Sequence, residues 1–328
     1  MSLRLAFLGS GQATRIHSKT LKAIAPHVER WYASRDAVRA EQASREHGGK
    51  GHLTGYQMAI DRRDIDAIVV CVPPALHREW TLKALAAGKH VIVEKPPYLT
   101  TAELDDVAQA AAAAGRQVLV AENYFYKPLT ALLQRIVAER AVGSLIVIQL
   151  NALKTQRTND WRDDGRLAGG GALFEGGIHW VSLLASIGLT PSRIHATLSR
   201  NGTASNRSAG AGERSAVVTM EYAEGGAAAL AYSWDVPSLI NGVRMSRMVG
   251  TDGMLRFETN GLFATLLGKQ GPRVFVPGLS DLAGYRAMMS DFIAAIEQQR
   301  PPKYHLALAR RDLELIERAY ASANPDAQ

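Results

Sequence analysis

Residues 3–14 read LRLAFLGSGQAT, and this stretch decides the fold of the first part of the chain. Residues 3–8 form a short apolar run, which is typical of a strand buried on both faces of a parallel sheet. Gly9, Ser10 and Gly11 follow, and residues 12 to about 24 can then form a helix that ends before Pro26. A strand, a glycine turn and a helix in this order are typical of the start of a dinucleotide-binding fold.

The glycine turn matches the first two glycines of the dinucleotide fingerprint. The first glycine permits a tight turn, and the second lets a pyrophosphate approach the backbone at a helix N-terminus. The third position, which governs the packing of helix on strand, is Thr14. We predict that a dinucleotide binds here, at Gly9, Gly11, Gln12, Ala13 and Thr14. The alternative is a purely structural turn between strand and helix.

The end of the second predicted strand bears on the choice between NADP and NAD. Ribose recognition is expected there, roughly 20 residues after the glycine turn. The sequence reads Ser34-Arg35-Asp36, where an acid ending the strand would bind the ribose hydroxyls and repel a 2′-phosphate. Ser34 and Arg35 can instead accept that phosphate, so we predict that both bind the cofactor and that NADP is preferred over NAD. The alternative is that Arg35 begins a solvated helix with Asp36 as its N-cap.

Strands and helices alternate up to about residue 123. The predicted strands cover residues 3–8, 30–34, 67–72, 90–93 and 117–121. The helices between them cover residues 12–24, 35–46, 77–87 and 101–114. This alternation predicts a doubly wound parallel sheet, which is a Rossmann domain over residues 1–123.

Beyond residue 123 the pattern changes to strands of alternating character. They are predicted at residues 145–152, 194–198, 216–222, 227–234, 244–249 and 254–258. Glycine-bearing turns between several of them indicate antiparallel hairpins. Residues 201–212 are polar and glycine-rich, which predicts a surface loop, and helices near 283–298 and 306–322 close the chain. We therefore predict an α+β domain with a largely antiparallel sheet over residues 124–328.

Composition excludes several classes of protein. The 328 residues carry a formal charge of +7, but the basic residues are scattered and form no dense run, so no nucleic-acid partner is expected. No stretch approaches the roughly 20 apolar residues needed to span a bilayer, so no membrane partner is expected. The single cysteine, Cys71, cannot form an internal disulfide and suits a reducing cytoplasm. No His, Asp and Glu spacing predicts a metal site.

Four segments carry a resemblance to a known family. In chain order they are VPPALH at 72–77, GKHVIVEKP at 88–96, ENYFYKP at 122–128 and GGGALFEGGIH at 169–179. In this order and spacing they resemble the glucose-fructose oxidoreductase and inositol dehydrogenase (Gfo/Idh/MocA) family. The resemblance implies a Rossmann domain followed by a substrate-binding domain with an open, largely antiparallel sheet. It also implies a homo-oligomer, a dimer or tetramer, in which the outer face of that sheet packs against another subunit.

The chemistry of two segments agrees with that resemblance. Hydride transfer from an alcohol needs one group to take the hydroxyl proton and another to hold the oxygen. Lys95 directly follows a buried strand, at the edge of the sheet where ligands bind in doubly wound folds. His179 follows Glu175 by four residues, so both project from one face of a helix. The resemblance implies that Lys95 and His179 are catalytic, with Glu175 in place of the usual aspartate and Ser182 in place of a second one.

Further residues are predicted to border the ligands. Beside the glycine turn, Ser34 and Arg35, the predicted cofactor-binding residues are Val72, Pro73, His77, Glu94, Lys95 and Asn123. For His77, simple packing is the alternative. The predicted substrate-binding residues are Tyr124, Tyr126, Trp161 and Arg162. The basic, tryptophan-bearing segment 154–166 suits a sugar or an acidic sugar derivative, or else is a solvated loop. Gly176 and Gly177 would let a cofactor ring come close.

These observations predict an NAD(P)-dependent oxidoreductase. It would transfer a hydride between the nicotinamide and a small-molecule substrate, which is a sugar, polyol or related cyclic alcohol or carbonyl compound. Two alternatives stay open. One is a hydrolase or lyase that retains its cofactor, and the other is a non-catalytic regulator that binds a dinucleotide.

Overall fold

The computed structural model describes residues 2–158, 160–199, 212–236 and 243–323. The loop predicted at 201–212 lies, except for Gly212, outside these described residues. The chain divides into two compact units. Unit 1 comprises Met1–Glu122 and Tyr285–Arg311, and unit 2 comprises Asn123–Gly284 and Asp312–Gln328.

Unit 1 contains a six-stranded parallel sheet in the order β3-β2-β1-β4-β5-β6. Its strands are β1 (Arg4–Leu8), β2 (Glu29–Ser34), β3 (Gly51–Thr54), β4 (Ala67–Val70), β5 (His90–Val93) and β6 (Val118–Val120). Its helices are α1 (Gln12–Ile24), α2 (Ala37–His47), α3 (Tyr56–Asp61), α4 (His77–Ala86) and α5 (Thr101–Ala114). The predicted doubly wound sheet is confirmed, and β3 is an additional strand that was not predicted.

The structure assigns the C-terminal helices to the two units differently from the prediction. The sequence assigned all residues after 123 to one domain, but α9 (Tyr285–Glu297) belongs to unit 1, where it packs against α1. Met288 and Phe292 are buried on its inner face. An amphipathic helix shows that one face is covered but not which element covers it, so the sequence could not assign α9. Helix α10 (Leu306–Ala323) belongs to unit 1 up to Arg311 and to unit 2 beyond.

Unit 2 is built on an eight-stranded sheet in the order β14-β13-β12-β11-β7-β10-β9-β8. Its strands are β7 (Leu145–Leu153), β8 (Pro191–Leu198), β9 (Ser215–Tyr222), β10 (Ala227–Ser233), β11 (Met245–Gly250), β12 (Gly253–Glu258), β13 (Ala264–Gly268) and β14 (Gly271–Phe275). All neighbours are antiparallel except β7 and β10, which are parallel. The helices are α6 (Pro128–Ala138), α7 (Gly165–Ala168) and α8 (Ile178–Ala185). The predicted, largely antiparallel sheet is confirmed, with β13 and β14 as additions.

The carboxyl ends of three central strands bring the predicted cofactor segments of unit 1 to one edge of the sheet. The glycine turn follows β1, Val72 lies just beyond β4, and Glu94 and Lys95 follow β5. Since β1, β4 and β5 are parallel neighbours, these three turns lie side by side. In open α/β sheets, ligands bind at this edge.

Candidate active site

The glycine turn requires its first glycine for two reasons. Gly9 has a φ of 109°, and a Cβ atom there would lie 2.4 Å from the carbonyl oxygen of Cys71. Thr14, in the third fingerprint position, is fully buried and donates its hydroxyl to the Gly9 carbonyl at 2.9 Å. The threonine thereby stabilises the turn from within. Its departure from the glycine fingerprint is therefore compatible with a formed dinucleotide loop.

The N-terminus of α1 fits the diphosphate of a dinucleotide. Gly11 is the N-cap residue, no side chain caps the helix, and its first turn contains no acidic residue. A Cβ atom at Gly11 would meet nothing within 4 Å. The first backbone N–H groups of the helix, at Gln12 and Ala13, and the positive end of its dipole are thus available to an anion.

At the end of β2, Ser34 and Arg35 differ in their surroundings. Ser34 is nearly buried, and its hydroxyl oxygen accepts from the Asp36 N–H at 3.2 Å. Arg35 is exposed, and its hydrogen bond and charge lower the pKa of Tyr56, which burial raises more strongly. Asp36 is the N-cap of α2 and accepts from the Arg39 N–H, as the alternative interpretation expected.

A groove beside the glycine turn adds a cation that the sequence analysis missed. Its volume is about 910 Å³, and it runs between α1 and α2 from residues 10–12. Arg15, Lys19 and Arg39 line it. Arg39 lies in the first turn of α2, where its largely exposed guanidinium is 3.7 Å from Asp36, so it is a second candidate for a ribose 2′-phosphate.

The turn after β5 holds Lys95 close to an ionised carboxylate. Glu94 Oε1 contacts His17 Nε2, and Glu94 Oε2 accepts from the Lys95 N–H at 3.2 Å. Burial alone would raise the pKa of Glu94, but the charge interaction and hydrogen bond with His17, with smaller contributions from Lys95 and His77, outweigh burial and lower that pKa. Glu94 is therefore a structural carboxylate in this turn as well as a predicted cofactor neighbour.

His77 packs between backbone carbonyls, as the alternative interpretation expected, and its contact with the cofactor stays a prediction. The side chain is fully buried. Its Nε2 lies 2.7 Å from the Val72 carbonyl oxygen, and its Nδ1 lies 2.9 Å and 3.0 Å from the carbonyl oxygens of Pro96 and Pro97. Burial lowers the pKa of His77 more than these hydrogen bonds raise it. The ring therefore lies between the turn after β4 and the turn after β5, and its one N–H in the neutral form donates to a backbone carbonyl of one of them.

The predicted catalytic helix of unit 2 begins with a π-helical turn. This turn spans Leu173–Gly177 and leads directly into α8, which carries His179. Such turns are rare and frequently occur at functional sites. Glu175 is buried within it, and its Oε1 accepts from Arg162 Nε at 3.0 Å. Arg162 also donates to Asp160 at 2.6 Å, so this guanidinium lies between two carboxylates.

Gly176 and Gly177 are required by packing within unit 2, and the approach of a cofactor ring to them stays a prediction. A Cβ atom at Gly176 would lie 2.1 Å from the hydroxyl of Tyr232. One at Gly177 would lie 2.8 Å from the Leu173 side chain. The Tyr232 hydroxyl in turn accepts from Trp234 Nε1 at 2.8 Å.

Two distant residues cap the π-helical turn. Glu213 Oε1 accepts from the Leu173 N–H at 2.8 Å and from the hydroxyl of Tyr320 at 2.8 Å. The Tyr320 oxygen accepts from the Phe174 N–H at 3.2 Å. These partners lie 40 and 146 residues from the turn in sequence, so no local signal identifies them.

His179 lies in an aromatic cluster. Its ring stacks on Tyr124 with centroids 4.3 Å apart, and Trp180 meets Tyr124 edge-on at 4.8 Å. The ammonium group of Lys127 lies 4.4 Å from the centroid of Tyr124, although Lys127 itself is almost fully buried. The sequence analysis missed Lys127, and a lysine directly before a helix-starting proline gives no sign of burial. The structure thus brings Tyr124 and His179 together.

Three further residues that were predicted to border the ligands contact other groups of the protein, namely Asn123, Trp161 and Tyr126. Asn123 is buried, and its Nδ2 donates to the Ala283 carbonyl at 2.7 Å, which commits this amide within unit 2. The guanidinium of Arg162 covers the Trp161 ring at 4.5 Å, and Tyr126 meets Phe125 edge-on.

Ser182, which stands where the family has a second aspartate, is fully buried. Within the described parts of the chain its hydroxyl has no hydrogen-bond partner.

The described residues contain neither a cluster suited to a metal ion nor a helix suited to cross a membrane. Among residues 2–158, 160–199, 212–236 and 243–323, no group of three or more His, Cys, Asp or Glu side chains is placed to hold a metal ion. Over the same ranges, no helix combines the length and apolar character that crossing a membrane demands.

Family models match most of the chain. A model described as "Oxidoreductase family, NAD-binding Rossmann fold" matches residues 3–122. A model described as "GFO/IDH/MocA C-terminal domain" matches residues 130–256.

Among characterised proteins, D-xylose 1-dehydrogenase (NADP(+)) 2 from Haloferax volcanii is 28% identical over 90% of this chain and 89% of its own length. Levoglucosan dehydrogenase from Pseudarthrobacter phenanthrenivorans is 26% identical over 60% of this chain and 54% of its own. Among solved structures, a 3-ketoreductase from Actinomadura kijaniata in complex with NADP and TDP-benzene superposes with a TM-score of 0.85. It is 20% identical and covers 98% of each chain, so it shows the shared fold.

Proposed function

The chain belongs to the Gfo/Idh/MocA family of NAD-binding oxidoreductases, and from this premise we propose that it transfers a hydride between NADP or NAD and a sugar or related cyclic alcohol. The observation that carries the proposal is the shared sheet edge in unit 1. There the uncapped glycine-turn helix lies beside the turn of Lys95, which is ordered by Glu94. The relatives named as dehydrogenases of xylose and levoglucosan support a sugar-type substrate.

The roles follow from the side chains. When bound, the nicotinamide supplies the hydride acceptor or donor. Lys95 holds the substrate oxygen by its positive charge, and His179 takes the hydroxyl proton during oxidation and returns it during reduction. Glu175 and Arg162 order the π-helical turn before His179.

A neutral substrate agrees better with unit 2 than the acidic sugar derivative that the sequence left open. Arg162 is bonded to both Asp160 and Glu175, and Arg166 is paired with Asp164. Recognition of a substrate carboxylate or phosphate usually needs a guanidinium free to bind it in bidentate fashion. Arg162 is held by the buried Glu175 carboxylate, whereas the pairing of the exposed Arg166 with Asp164 is weak, so it is the pairing of Arg162 that favours a neutral polyhydroxylated substrate.

We assign the preference for NADP to the α2 end of the cofactor site. Ser34 and the exposed Arg35 remain the proposed ligands of the 2′-phosphate, and Arg39 in the adjoining groove joins them. Fluorescence titration with NADPH and NADH tests this. The double substitution of Arg35 and Arg39 by Gln should weaken NADPH binding by at least about tenfold and leave NADH binding unchanged. Tighter binding of NADH than NADPH by the unmodified protein would refute the assignment.

The outer face of the unit 2 sheet is the proposed subunit interface. An apolar row crosses five of its strands in register, formed by Val147, Val249, Met254, Leu267 and Pro272. These residues alternate with the buried ones, so they lie on the face away from the core. Large apolar patches on one face are typical of protein interfaces. The single thiol, Cys71, continues to suit a cytoplasmic location.

A substrate panel tests the proposed activity. NADP⁺ and NAD⁺ are offered with xylose, levoglucosan and other neutral sugars and polyols, and formation of the reduced cofactor is followed. Lys95→Met should abolish turnover and leave cofactor affinity within about threefold, because the ammonium acts on the substrate oxygen. Lys83→Met is the matched control, since Lys83 is surface-exposed and paired with Glu79. Unchanged turnover in Lys95→Met would refute the role of Lys95.

A further inference from the structure

A buried histidine on the cofactor-binding helix contacts the turn that carries Lys95. His17 lies in the middle of α1 and is 1% exposed. Its Nε2 contacts Glu94 Oε1, whereas its Nδ1 has no hydrogen-bond partner within the described parts of the chain. A buried polar ring with one nitrogen unsatisfied is costly. The contact with Glu94 is therefore the polar interaction that stabilises this ring in its position.

The same carboxylate holds the backbone of Lys95. Its second oxygen, Oε2, accepts from the Lys95 N–H at 3.2 Å. One carboxylate thus joins two elements, namely the helix that starts at the glycine turn and the turn that carries Lys95. A carboxylate fixed at both oxygens can transmit the position of one element to the other.

We propose that His17 is a positioning residue for Lys95: through Glu94 it ties the cofactor-binding helix α1 to the turn that presents the Lys95 ammonium to the substrate. The inference rests on the proposed function only for the role of Lys95. It assigns His17, which the sequence analysis passed over, to the machinery of hydride transfer. It also explains why a histidine occupies a buried helix position where an apolar residue would pack without an unsatisfied nitrogen.

The groups around Glu94 set its pKa, so the proposal predicts a change in that pKa when His17 is replaced. His17 faces it from α1, His77 from α4 and Cys71 from the segment after β4, with Lys95 adjacent in sequence. Tyr285 on α9 meets the ring of His17 edge-on at 5.9 Å. Burial favours a raised pKa for Glu94, and the interactions with His17, Lys95 and His77 reverse that effect. Without His17 the effect of burial gains weight, so the pKa of Glu94 should rise.

Amide hydrogen exchange at Lys95 tests the positioning without requiring turnover. In His17→Leu the Lys95 amide should exchange about tenfold faster, because its carboxylate acceptor is no longer held. His17→Gln, whose amide can donate to Glu94, should restore most of the protection. The control is His90→Leu, at the opposite end of the same strand β5, where His90 Nδ1 accepts from the Gln117 N–H at 3.0 Å. It should leave Lys95 exchange unchanged.

Kinetics provide the second measurement. We expect kcat of His17→Leu to fall about tenfold, with KM for the sugar and the cofactor Kd within about twofold of the parent values. Ionised Glu94 is present above its folded pKa and is lost as pH falls through it. A raised pKa therefore moves the acid limb of the pH–kcat profile to higher pH in His17→Leu, and less so in His17→Gln.

The outcomes separate the inference from the proposed function. Unchanged Lys95 exchange in folded His17→Leu, or equal acceleration in His90→Leu, overturns the inference while leaving the proposed function intact. If His17→Leu does not fold, a His17→Gln protein that keeps most of the parental exchange protection and kcat, with a small shift of the acid limb, supports it. A His17→Gln protein that loses protection despite its donor contradicts it. Absence of turnover by the unmodified protein refutes the proposed function but leaves the exchange result valid.

Discussion

The imidazole ring of His179 stacks on the phenol ring of Tyr124, with centroids 4.3 Å apart and planes 13° from parallel. Tyr124 is further contacted by Lys127 and Trp180, both within unit 2. Aromatic pairs in this geometry contribute ~0.5–1.5 kcal/mol beyond their burial. The stack fixes the plane of the imidazole, which a group that transfers a proton in one direction requires.

Replacing Tyr124 separates its two candidate roles. Tyr124→Leu removes the stack and should lower kcat about tenfold, in line with the free energy of such pairs. Tyr124→Phe keeps the ring and should retain kcat. If the hydroxyl also binds the substrate, as the sequence analysis predicted, the Phe variant will raise KM alone. Steady-state kinetics with the best substrate of the panel measures both, and equal kcat for the Leu variant and the parent would contradict the orienting role.

The packing of Gly176 predicts a rescue. Gly176→Ala places a methyl group 2.1 Å from the Tyr232 hydroxyl, so the π-helical turn must shift and turnover should fall at least about tenfold. Removing that hydroxyl as well, in Gly176→Ala with Tyr232→Phe, should recover much of the loss, since the next ring atom lies 3.2 Å away. A double variant no better than the single one would show that another contact is limiting.

Arg162 should matter far more than its neighbour Arg166. Arg162→Met removes the guanidinium that donates to the buried Glu175 carboxylate, and breaking a largely buried pair in this way costs ~3–5 kcal/mol. The side chain of Arg166 is 92% exposed, so Arg166→Met should change the free energy of unfolding by less than ~0.5 kcal/mol. Urea denaturation of both variants, with kcat measured alongside, checks this contrast. Comparable stability of the two variants would refute a structural role for the Arg162–Glu175 pair.

The proposed interface predicts that a single charge will dissociate the subunits. Leu267 is 60% exposed in the apolar outer row, between Met254 and Pro272, and Leu267→Asp should lower the sedimentation mass toward that of one chain. Val38→Asp, at an exposed position on α2 of unit 1, serves as the control and should leave the mass unchanged. A parent protein that sediments as a single chain would contradict the interface itself.

Much of the fold could be predicted because buried parallel strands consist of continuous apolar residues. Strands β1, β4 and β5 show this pattern. The glycine turn after β1 was predicted from its glycines. Strand β3 was missed because GHLT buries only Leu53, which is too little apolar character to indicate a strand. Strands β13 and β14 lie at one edge of their sheet, where side chains are largely exposed and the pattern is weak.

The sequence identified the residues of the candidate site but could not predict their burial or their hydrogen-bond partners. Lys95, Glu175 and His179 were identified from their motifs, and their catalytic roles stay predictions until tested. The sequence could not show that the nitrogens of His77 face backbone carbonyls, because burial and acceptors come from the tertiary fold. Nor could it pair Glu213 with Tyr320, which lie 107 residues apart.

The most direct test of hydride transfer uses a cofactor labelled with deuterium at the nicotinamide C4 position. The purified protein is incubated with the deuterated cofactor and the ketone form of its best sugar, and the product is analysed by mass spectrometry. We predict one deuterium on the product carbon for each cofactor oxidised, and none with Lys95→Met. Conversion of a substrate with no net oxidation of the cofactor would contradict it and favour a hydrolase or lyase that retains its cofactor.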